Sequence, residues 1–134
     1  MKLSELLNIK TAIKKAREMS MKSDHHQAKV GAVVLQKNKT LSSGYNQDKK
    51  THPFLKKHGF YYNQSIHAEM AAIFRMKNKE NLKGATIVVY RETKDGHMAM
   101  SRPCVVCQKL MKIYGVKKII YSTENGICEE VLRD

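Results

Sequence analysis

Side chains suited to metal binding occur in two short segments that are far apart along the chain. The first segment is His67-Ala68-Glu69, and the second is Pro103-Cys104-Val105-Val106-Cys107. One imidazole and two thiolates can bind a single metal ion, and three protein ligands leave the fourth corner of a tetrahedral zinc open, as in catalytic sites. A chain with these segments must therefore fold so that the two of them meet.

The spacing of the residues favours one shared catalytic centre. Cys104 and Cys107 are three residues apart, so on a helix they lie on one face. They fall in the first turn of a predicted helix, near the positive end of its dipole, which favours thiolates over thiols. Glu69, two residues after His67, can take a proton from a metal-bound water and pass it to a substrate nitrogen. A zinc ion that only stabilised the fold would require a fourth protein ligand and would leave Glu69 without a role.

The pattern His-x-Glu followed by Pro-Cys-x-x-Cys is known from zinc-dependent nucleobase deaminases. Together with Gly44-Tyr45-Asn46 upstream, it makes this sequence resemble the cytidine and deoxycytidylate deaminase superfamily. The resemblance implies a Zn²⁺ cofactor with His67, Cys104 and Cys107 as its ligands. It also implies a zinc-bound hydroxide that attacks C4 of a pyrimidine, or C6 of a purine, with Glu69 as the proton shuttle.

Three further residues are candidates for substrate binding. By the same resemblance, Asn46 would hold the sugar hydroxyls, although an asparagine at the end of a strand can also simply cap the turn. The backbone N–H of Ala68 would bind the edge of the base. Ser101, just before the cysteine segment, is the third candidate.

The hydrophobic pattern and the turn residues predict helices and strands along the whole chain. In order, they predict a helix at residues 3–21, strands at 30–35 and 40–45, a helix at 66–79, a strand at 85–90, a helix at 104–114, and strands at 116–122 and 127–132. His67 would lie in the first turn of its helix, with Ser65 as the N-cap. Pro103 is expected at the start of the last helix and Gly115 at its end. Asn38 is expected to take a left-handed conformation in the first hairpin turn.

This order of elements predicts an α/β fold in one domain, residues 1–134. The expected architecture is a three-layer α/β/α sandwich around a mixed sheet of about five strands. The resemblance extends over roughly residues 28–122 and implies the cytidine deaminase-like fold. The short tail after the fourth strand resembles the hairpin ending of free-nucleoside deaminases, because deoxycytidylate and tRNA deaminases usually continue with another helix. The free-nucleoside enzymes generally have cysteine at the position of His67, so the tail and the first ligand indicate different subfamilies.

The chain is strongly basic, with 25 Lys and Arg against 12 Asp and Glu and a formal net charge of +13. Such a charge fits either a nucleic-acid-binding surface or a preference for anionic substrates. The cations are mostly scattered lysines, without a block of like charges. A solvated surface and a polyanion-binding face are therefore equally compatible with the pattern.

The sequence also indicates the cellular compartment in which the protein is expected. It contains neither an apolar run long enough to span a bilayer nor the apolar segment of a signal peptide, so we expect a cytoplasmic protein, in the host cytoplasm if the source is viral. Three cysteines, two of them in Cys-x-x-Cys, fit a reducing compartment better than a disulfide scaffold. Cys-x-x-Cys alone also fits a redox pair, but the upstream His67 and Glu69 make that the weaker interpretation. Cys128 is not needed as a ligand.

Residues 47–65 form a long predicted loop that leads directly into the first metal-binding segment. Its aromatic side chains can close over a base or pack the loop onto the body of the protein, and its lysines can meet a phosphate. Another zinc ion has candidate ligands in His52 and His58 of this loop and in the pair His25 and His26, but their spacing is not diagnostic.

The leading functional hypothesis is hydrolytic deamination of a small-molecule cytosine nucleotide or nucleoside, with dCMP to dUMP as the favoured reaction. The alternative is a polynucleotide-editing deaminase that acts on tRNA adenosine or single-stranded cytosine, which the net charge of +13 motivates. A third hypothesis, a zinc-containing binding module without catalysis, is disfavoured by the intact Glu69. The resemblance also implies a homo-oligomer, and no membrane partner is expected.

Overall fold

The computed structural model describes residues 2–24, 28–47 and 66–132, and their elements follow the predicted order. In chain order they are α1 (Leu3–Ser20), β1 (Lys29–Gln36), β2 (Lys39–Tyr45), α2 (Ala68–Phe74), a 3-10 helix (Lys79–Leu82), β3 (Thr86–Glu92), α3 (Val105–Ile113), β4 (Lys118–Thr123) and β5 (Gly126–Val131).

The strands form one five-stranded mixed sheet in the order β2-β1-β3-β4-β5. β1 pairs antiparallel with β2 and with β3, whereas β3 and β4 run parallel. β5 returns antiparallel along β4, so the predicted hairpin ending is confirmed. Because β3 and β4 are parallel, their carboxyl ends meet at one edge of the sheet, where ligand sites of α/β proteins commonly lie.

Helices cover both faces of the sheet. On one face, Ala12 and Ala16 of α1 pack against Val33, Val88 and Ile120. On the other face, α2 and α3 cover a larger cluster that includes Met70, Ile73, Val34, Ile87, Val89, Leu110, Met111 and Ile119. Neighbouring strand residues point to opposite faces, which is why both faces need cover. Burying each large aliphatic side chain contributes about 1.5–3 kcal/mol. The predicted α/β/α layering and the fold class are confirmed.

The first hairpin closes with a turn of two residues, Lys37 and Asn38, both at positive φ (48° and 69°). Turns of this kind match the twist of the flanking strands. The left-handed conformation expected for Asn38 is confirmed. The turn sets the register in which Gln36 pairs with Lys39.

The helix predicted at 66–79 is shorter than expected, and this part of the prediction was wrong. His67 is the N-cap residue of α2 with extended backbone (φ −79°, ψ 157°), so it lies before the first turn and not within it. The predicted cap Ser65 lies outside the described residues. The helix ends at Phe74 because Asn78 caps a separate 3-10 helix, its side chain accepting a hydrogen bond from the Glu80 N–H at 3.0 Å. Short polar side chains compete in this way with helix continuation.

The start of α3 also differs from the prediction. Pro103 precedes the N-cap residue Cys104, whose backbone is extended (φ −69°, ψ 169°), and the helix begins at Val105. The predicted end is confirmed, since Gly115 follows the C-cap with φ 79°. Glycine reaches this left-handed conformation without strain, which is why it commonly ends helices.

Among the described residues, no helix is long and apolar enough to cross a membrane.

Candidate active site

The predicted metal ligands come together on the face of the sheet that α2 and α3 cover. The ligand atoms of His67, Cys104 and Cys107 all lie within 4.8 Å of one another. Nδ1 of His67 is 3.3 Å from Sγ of Cys107 and 3.6 Å from Sγ of Cys104. One imidazole nitrogen and two sulfurs are a donor set that suits zinc and leaves one tetrahedral position for another molecule. The three residues therefore fit a catalytic zinc ion.

Two helix N-termini place these ligands. His67 is the N-cap of α2 and Cys104 is the N-cap of α3, with Cys107 in the first turn of α3. The N-terminus of a helix carries a partial positive charge, which stabilises thiolates. The site is therefore formed where two helices begin, one from each half of the metal-binding pattern.

A close contact between β2 and α2 sets the position of the first helix. A Cβ atom at Gly44 would lie 2.5 Å from the Ala72 nitrogen and 2.8 Å from the Ala68 oxygen, so only glycine fits there. Two residues earlier in β2, the Ser42 hydroxyl donates to the Ala72 carbonyl at 2.6 Å. Gly44 therefore serves to bring the helix that carries Glu69 against the sheet.

Contacts within the cluster shift the pKa values of its members. A hydrogen bond from Cys107, aided by His67, lowers the pKa of Cys104 to about 3 in spite of burial. The hydrogen bond to Cys104, together with burial, raises the pKa of Cys107 well above its usual range. The hydrogen bond with Cys104 raises the pKa of His67. Cys104 is thus held as a thiolate, and cation binding at Cys107 releases a proton because the thiolate is the metal-binding form.

Glu69 lies on the first turn of α2 beside these ligands. Its side chain is almost completely buried, at 5% exposure. Burial raises the pKa of its carboxyl group, and the positive charge of His67 opposes that rise. A carboxylate with a raised pKa is a stronger base than an exposed one and accepts a proton more readily, and a pKa closer to neutral pH suits general acid–base catalysis.

A cavity of about 270 Å³ opens beside the metal ligands. His67, Glu69 and Cys104 form one wall of it. Its other lining residues are Ala28, Val30, Asn46, Ala68, Arg91, Met100, Ser101 and Arg102. All the predicted substrate-binding residues therefore face the same cavity as the candidate catalytic glutamate.

A protein-family model described as the cytidine and deoxycytidylate deaminase zinc-binding region matches residues 7–123 of the chain. The chain belongs to this family. It is accordingly a deaminase, and zinc is its cofactor.

Solved structures agree with this assignment. The dCMP deaminase of the cyanophage S-TIM5, in complex with dCMP and dUMP, is 26% identical, with a TM-score of 0.63 over 90% of this chain and 82% of that chain. The cytidine deaminase of Burkholderia pseudomallei is 20% identical, with a TM-score of 0.66 over 92% of this chain and 91% of that chain, and at this identity it shows the fold alone. No curated protein sequence matches the deaminase.

Asn46 fastens the end of β2 to the start of β1. Its Nδ2 donates to the Ala28 carbonyl at 2.6 Å, and its Oδ1 accepts from the Val30 N–H at 2.9 Å. These bonds are those of a residue that caps a strand end. Nδ2 can still donate one hydrogen bond and Oδ1 can still accept one, so sugar binding by Asn46 stays a prediction.

Ser101 is tied to two strands of the sheet. Its hydroxyl oxygen lies 3.1 Å from the Val89 carbonyl and 3.1 Å from the Ser122 carbonyl, and it accepts from the Ser122 N–H at 2.9 Å. The Ser122 hydroxyl lies 2.8 Å from the Ala99 carbonyl and accepts from the Arg91 N–H at 3.0 Å. These bonds fix the segment before the cysteines, so Ser101 has a structural role and its substrate contact stays a prediction.

Sequence reasoning did not identify Ser122, Arg91 or Arg102 as residues of the site. Ser122 is completely buried in β4, and a hydroxyl at an inward position of an apolar strand was a usable signal. No local pattern marks Arg91, because its position at the cavity depends on strand pairing between distant segments. Arg102 directly precedes Pro103 and Cys104, and this closeness to a metal ligand was a usable signal.

Several predictions concern residues outside the described ones. They are the additional zinc ligands His25, His26, His52 and His58, the lysines Lys49, Lys50, Lys56 and Lys57, and the aromatic residues Phe60, Tyr61 and Tyr62. Within the described part, Gln47 and Ile66 exchange backbone hydrogen bonds of 3.0 Å, which brings Asn46 and His67, their neighbours in sequence, close to each other.

Proposed function

We propose that the deaminase hydrolyses a cytosine nucleotide or nucleoside, with dCMP to dUMP as the leading reaction. The observation that carries this proposal is the buried Glu69 beside His67, Cys104 and Cys107 on the wall of one cavity. The preference for dCMP is supported by the 26% identical phage enzyme, whose structure holds dCMP and dUMP.

In the proposed mechanism His67, Cys104 and Cys107 hold the zinc ion. When bound, zinc supplies a Lewis acid that makes water nucleophilic at neutral pH. The net reaction places the oxygen of water on C4 of cytosine and releases the amino nitrogen as ammonia. Of the two protons of water, one goes to N3 of the ring and the other leaves with ammonia.

Glu69 moves both of these protons. Its carboxylate takes a proton from water and gives it to N3, and then takes the second proton and gives it to the departing amino group. Its burial keeps these transfers away from bulk solvent. General acid–base catalysis of this kind contributes typically about 10²–10⁴-fold to a rate.

The N-terminus of α2 is suited to recognising the base. Ala68 is the first residue of this helix, and the first four N–H groups of a helix have no partner within it. Its N–H is therefore free of helical hydrogen bonds and can donate to an acceptor of the base. Asn46 and Ser101 line the same cavity, where they would contact the sugar.

The test is a substrate panel on the zinc-loaded protein, following ammonia release from dCMP, CMP, deoxycytidine and cytidine. We expect turnover of dCMP, and a loss of about 10²–10⁴-fold in Glu69→Gln, which has the same shape but cannot accept the proton. Zinc content and circular dichroism of the variant serve as controls for an intact site. Absence of ammonia from every member of the panel would overturn the proposal.

The net charge of +13 favours a second candidate, deamination within a polynucleotide. The same panel therefore includes a tRNA anticodon stem-loop and a single-stranded cytosine oligonucleotide. Ammonia from these polymers alone would assign the scattered lysines to a nucleic-acid-binding surface.

We also propose that the chain forms one domain and assembles as a homo-oligomer. Light scattering of the purified protein measures the mass of the assembly and so tests the homo-oligomer.

A further inference from the structure

Arg91 occupies a distinctive position beside the active site. It lies near the carboxyl end of β3, paired with Val30 of β1. Side chains alternate along a strand, so Arg91 shares a face with Ile87 and Val89, which belong to the core beneath α2 and α3. Its side chain therefore extends from the apolar core to the lining of the cavity that also contains Glu69.

The guanidinium group of Arg91 has unused hydrogen-bonding capacity. Its Nε is buried and has no acceptor among the described residues. Its Nη1 reaches the Met100 carbonyl at 3.4 Å, which is the long limit of a hydrogen bond. A buried N–H without an acceptor destabilises a protein. A charged group kept in this condition at the wall of a cavity is suited to a ligand that supplies the acceptors.

The charges around the cavity indicate the sign of that ligand. In the described part of the chain, no ion pair includes Arg91, whereas Arg102 pairs with Glu130 of β5 at 2.9 Å. Glu69 is the one carboxylate among the described residues that line the cavity, and its role is proton transfer at the metal ligands. Apart from Glu69 and the metal-ligating residues His67 and Cys104, the charged side chains among the described residues that line the cavity are therefore the guanidinium groups of Arg91 and Arg102.

We propose that Arg91 binds the 5′-phosphate of the substrate and that Arg102, at the rim, assists it. The proposal rests on the proposed function and assigns the substrate to the nucleoside 5′-monophosphates, in preference to free nucleosides. The planar guanidinium donates two parallel hydrogen bonds to phosphate oxygens, a geometry that lysine cannot reproduce. Neutral nucleosides supply no charge to compensate the arginine, so Arg91 acts as the specificity-determining residue.

The test compares dCMP with deoxycytidine in Arg91→Gln, Arg91→Lys and wild-type protein. We expect Arg91→Gln to lower kcat/KM for dCMP by about 30-fold, the effect of one lost charge-assisted hydrogen bond. Turnover of deoxycytidine should change by less than about threefold, because that substrate lacks the phosphate. Arg91→Lys should fall between wild type and Arg91→Gln.

Arg75→Gln is the matched control for loss of one positive charge. Arg75 is exposed, donates to the Ser43 carbonyl at 3.3 Å, and does not line the cavity. For Arg75→Gln, the ratio of kcat/KM for dCMP to kcat/KM for deoxycytidine should equal that of wild type. A second readout is calorimetric binding of the products dUMP and deoxyuridine, where Arg91→Gln should weaken dUMP alone.

The outcomes separate the two proposals. Wild-type protein that deaminates no cytosine compound overturns the proposed function. Protein that deaminates dCMP and deoxycytidine equally well, or that loses both substrates equally in Arg91→Gln, overturns the phosphate role of Arg91. If Arg91→Gln does not fold, Arg91→Lys and the rim variant Arg102→Gln decide the question, since each should lower the dCMP to deoxycytidine ratio.

Discussion

At the scale of single residues, the three cysteines differ in their surroundings although their chemistry is the same. Cys107 is completely buried and Cys104 caps α3 next to His67, whereas Cys128 is exposed on β5, an edge strand of the sheet. The spacing of Cys104 and Cys107 predicted their shared role, and their meeting with His67 agrees with that prediction.

A comparison of cysteine variants measures that role. We expect Cys104→Ser and Cys107→Ser to lose zinc on dialysis, because serine replaces a thiolate with a much poorer ligand. Cys128→Ser, the matched control, should keep about one zinc per chain, the complement of a single three-ligand site. Zinc per chain, determined by elemental analysis after dialysis, checks this. Loss of zinc from Cys128→Ser would contradict the assignment of the ligands.

At the scale of elements, the site depends on how closely two helices approach the sheet. Gly44 brings α2 against β2, and on the opposite face Gly31 lies against α1, where a Cβ atom would overlap the Ala16 carbonyl oxygen. Each glycine thus permits a helix to approach a strand so closely that the helix backbone lies against the glycine. In the sequence pattern Gly44-Tyr45-Asn46, the asparagine was the residue predicted to bind substrate. The glycine is the residue that positions the helix with Glu69.

Substitution of Gly44 should therefore affect the metal site as well as stability. We expect Gly44→Ala to lower the free energy of unfolding by about 1–3 kcal/mol, because the added methyl group displaces α2. The displacement moves His67, so zinc affinity should fall as well. Urea unfolding and a competitive zinc chelator measure the two effects.

The control for this substitution is Gly96→Ala. Gly96 has positive φ (83°) but no neighbour within 4 Å of an added Cβ atom. Alanine there should destabilise the chain by about 1–2 kcal/mol through backbone strain and leave zinc affinity unchanged. Equal zinc affinity in Gly44→Ala and wild type would show that the close approach does not position the ligand.

At the scale of the whole molecule, a polar network joins α1 to the sheet. Nε of Arg17 lies 2.6 Å from Oε1 of Glu92, and the Tyr90 hydroxyl donates to the same oxygen at 2.6 Å. Burial, with the hydrogen bond to Glu92, raises the pKa of Tyr90 to about 12. Burial alone would raise the pKa of Glu92, but the hydrogen bonds from Tyr90 and Arg17 outweigh it and hold that pKa below its usual value.

This network predicts how stability depends on alkaline pH. The folded protein holds the Tyr90 proton more tightly than the unfolded chain, whose tyrosine pKa is about 10. The contribution of Tyr90 is therefore complete below pH 10 and is lost as pH rises through about 12. Urea unfolding of wild type and Tyr90→Phe between pH 8 and 12 checks this, since titrating lysines affect both proteins equally. A constant difference in unfolding free energy between the two proteins would contradict the prediction.

Features that depend on local patterns could be predicted from the amino-acid sequence. Hydrophobic periodicity and turn residues located each α-helix and strand of the described residues but missed the 3-10 helix, and the hairpin turn at Asn38 followed from side-chain preferences. The ligand set and Glu69 were identifiable because metal chemistry demands particular residue types at short spacings. The family followed from the same residues.

Features that depend on contacts between distant segments could not be predicted without the folded structure. The end of α2 was also missed, although the cap at Asn78, which begins the next 3-10 helix, is a local contact with Glu80. The arrangement of Ser101 with Ser122 exists because β3 and β4 pair in one register. The same pairing leaves Nε of Arg91 without an acceptor among the described residues. Which polar group of a chain is left without a partner depends on everything packed around it, so no stretch of sequence determines it alone.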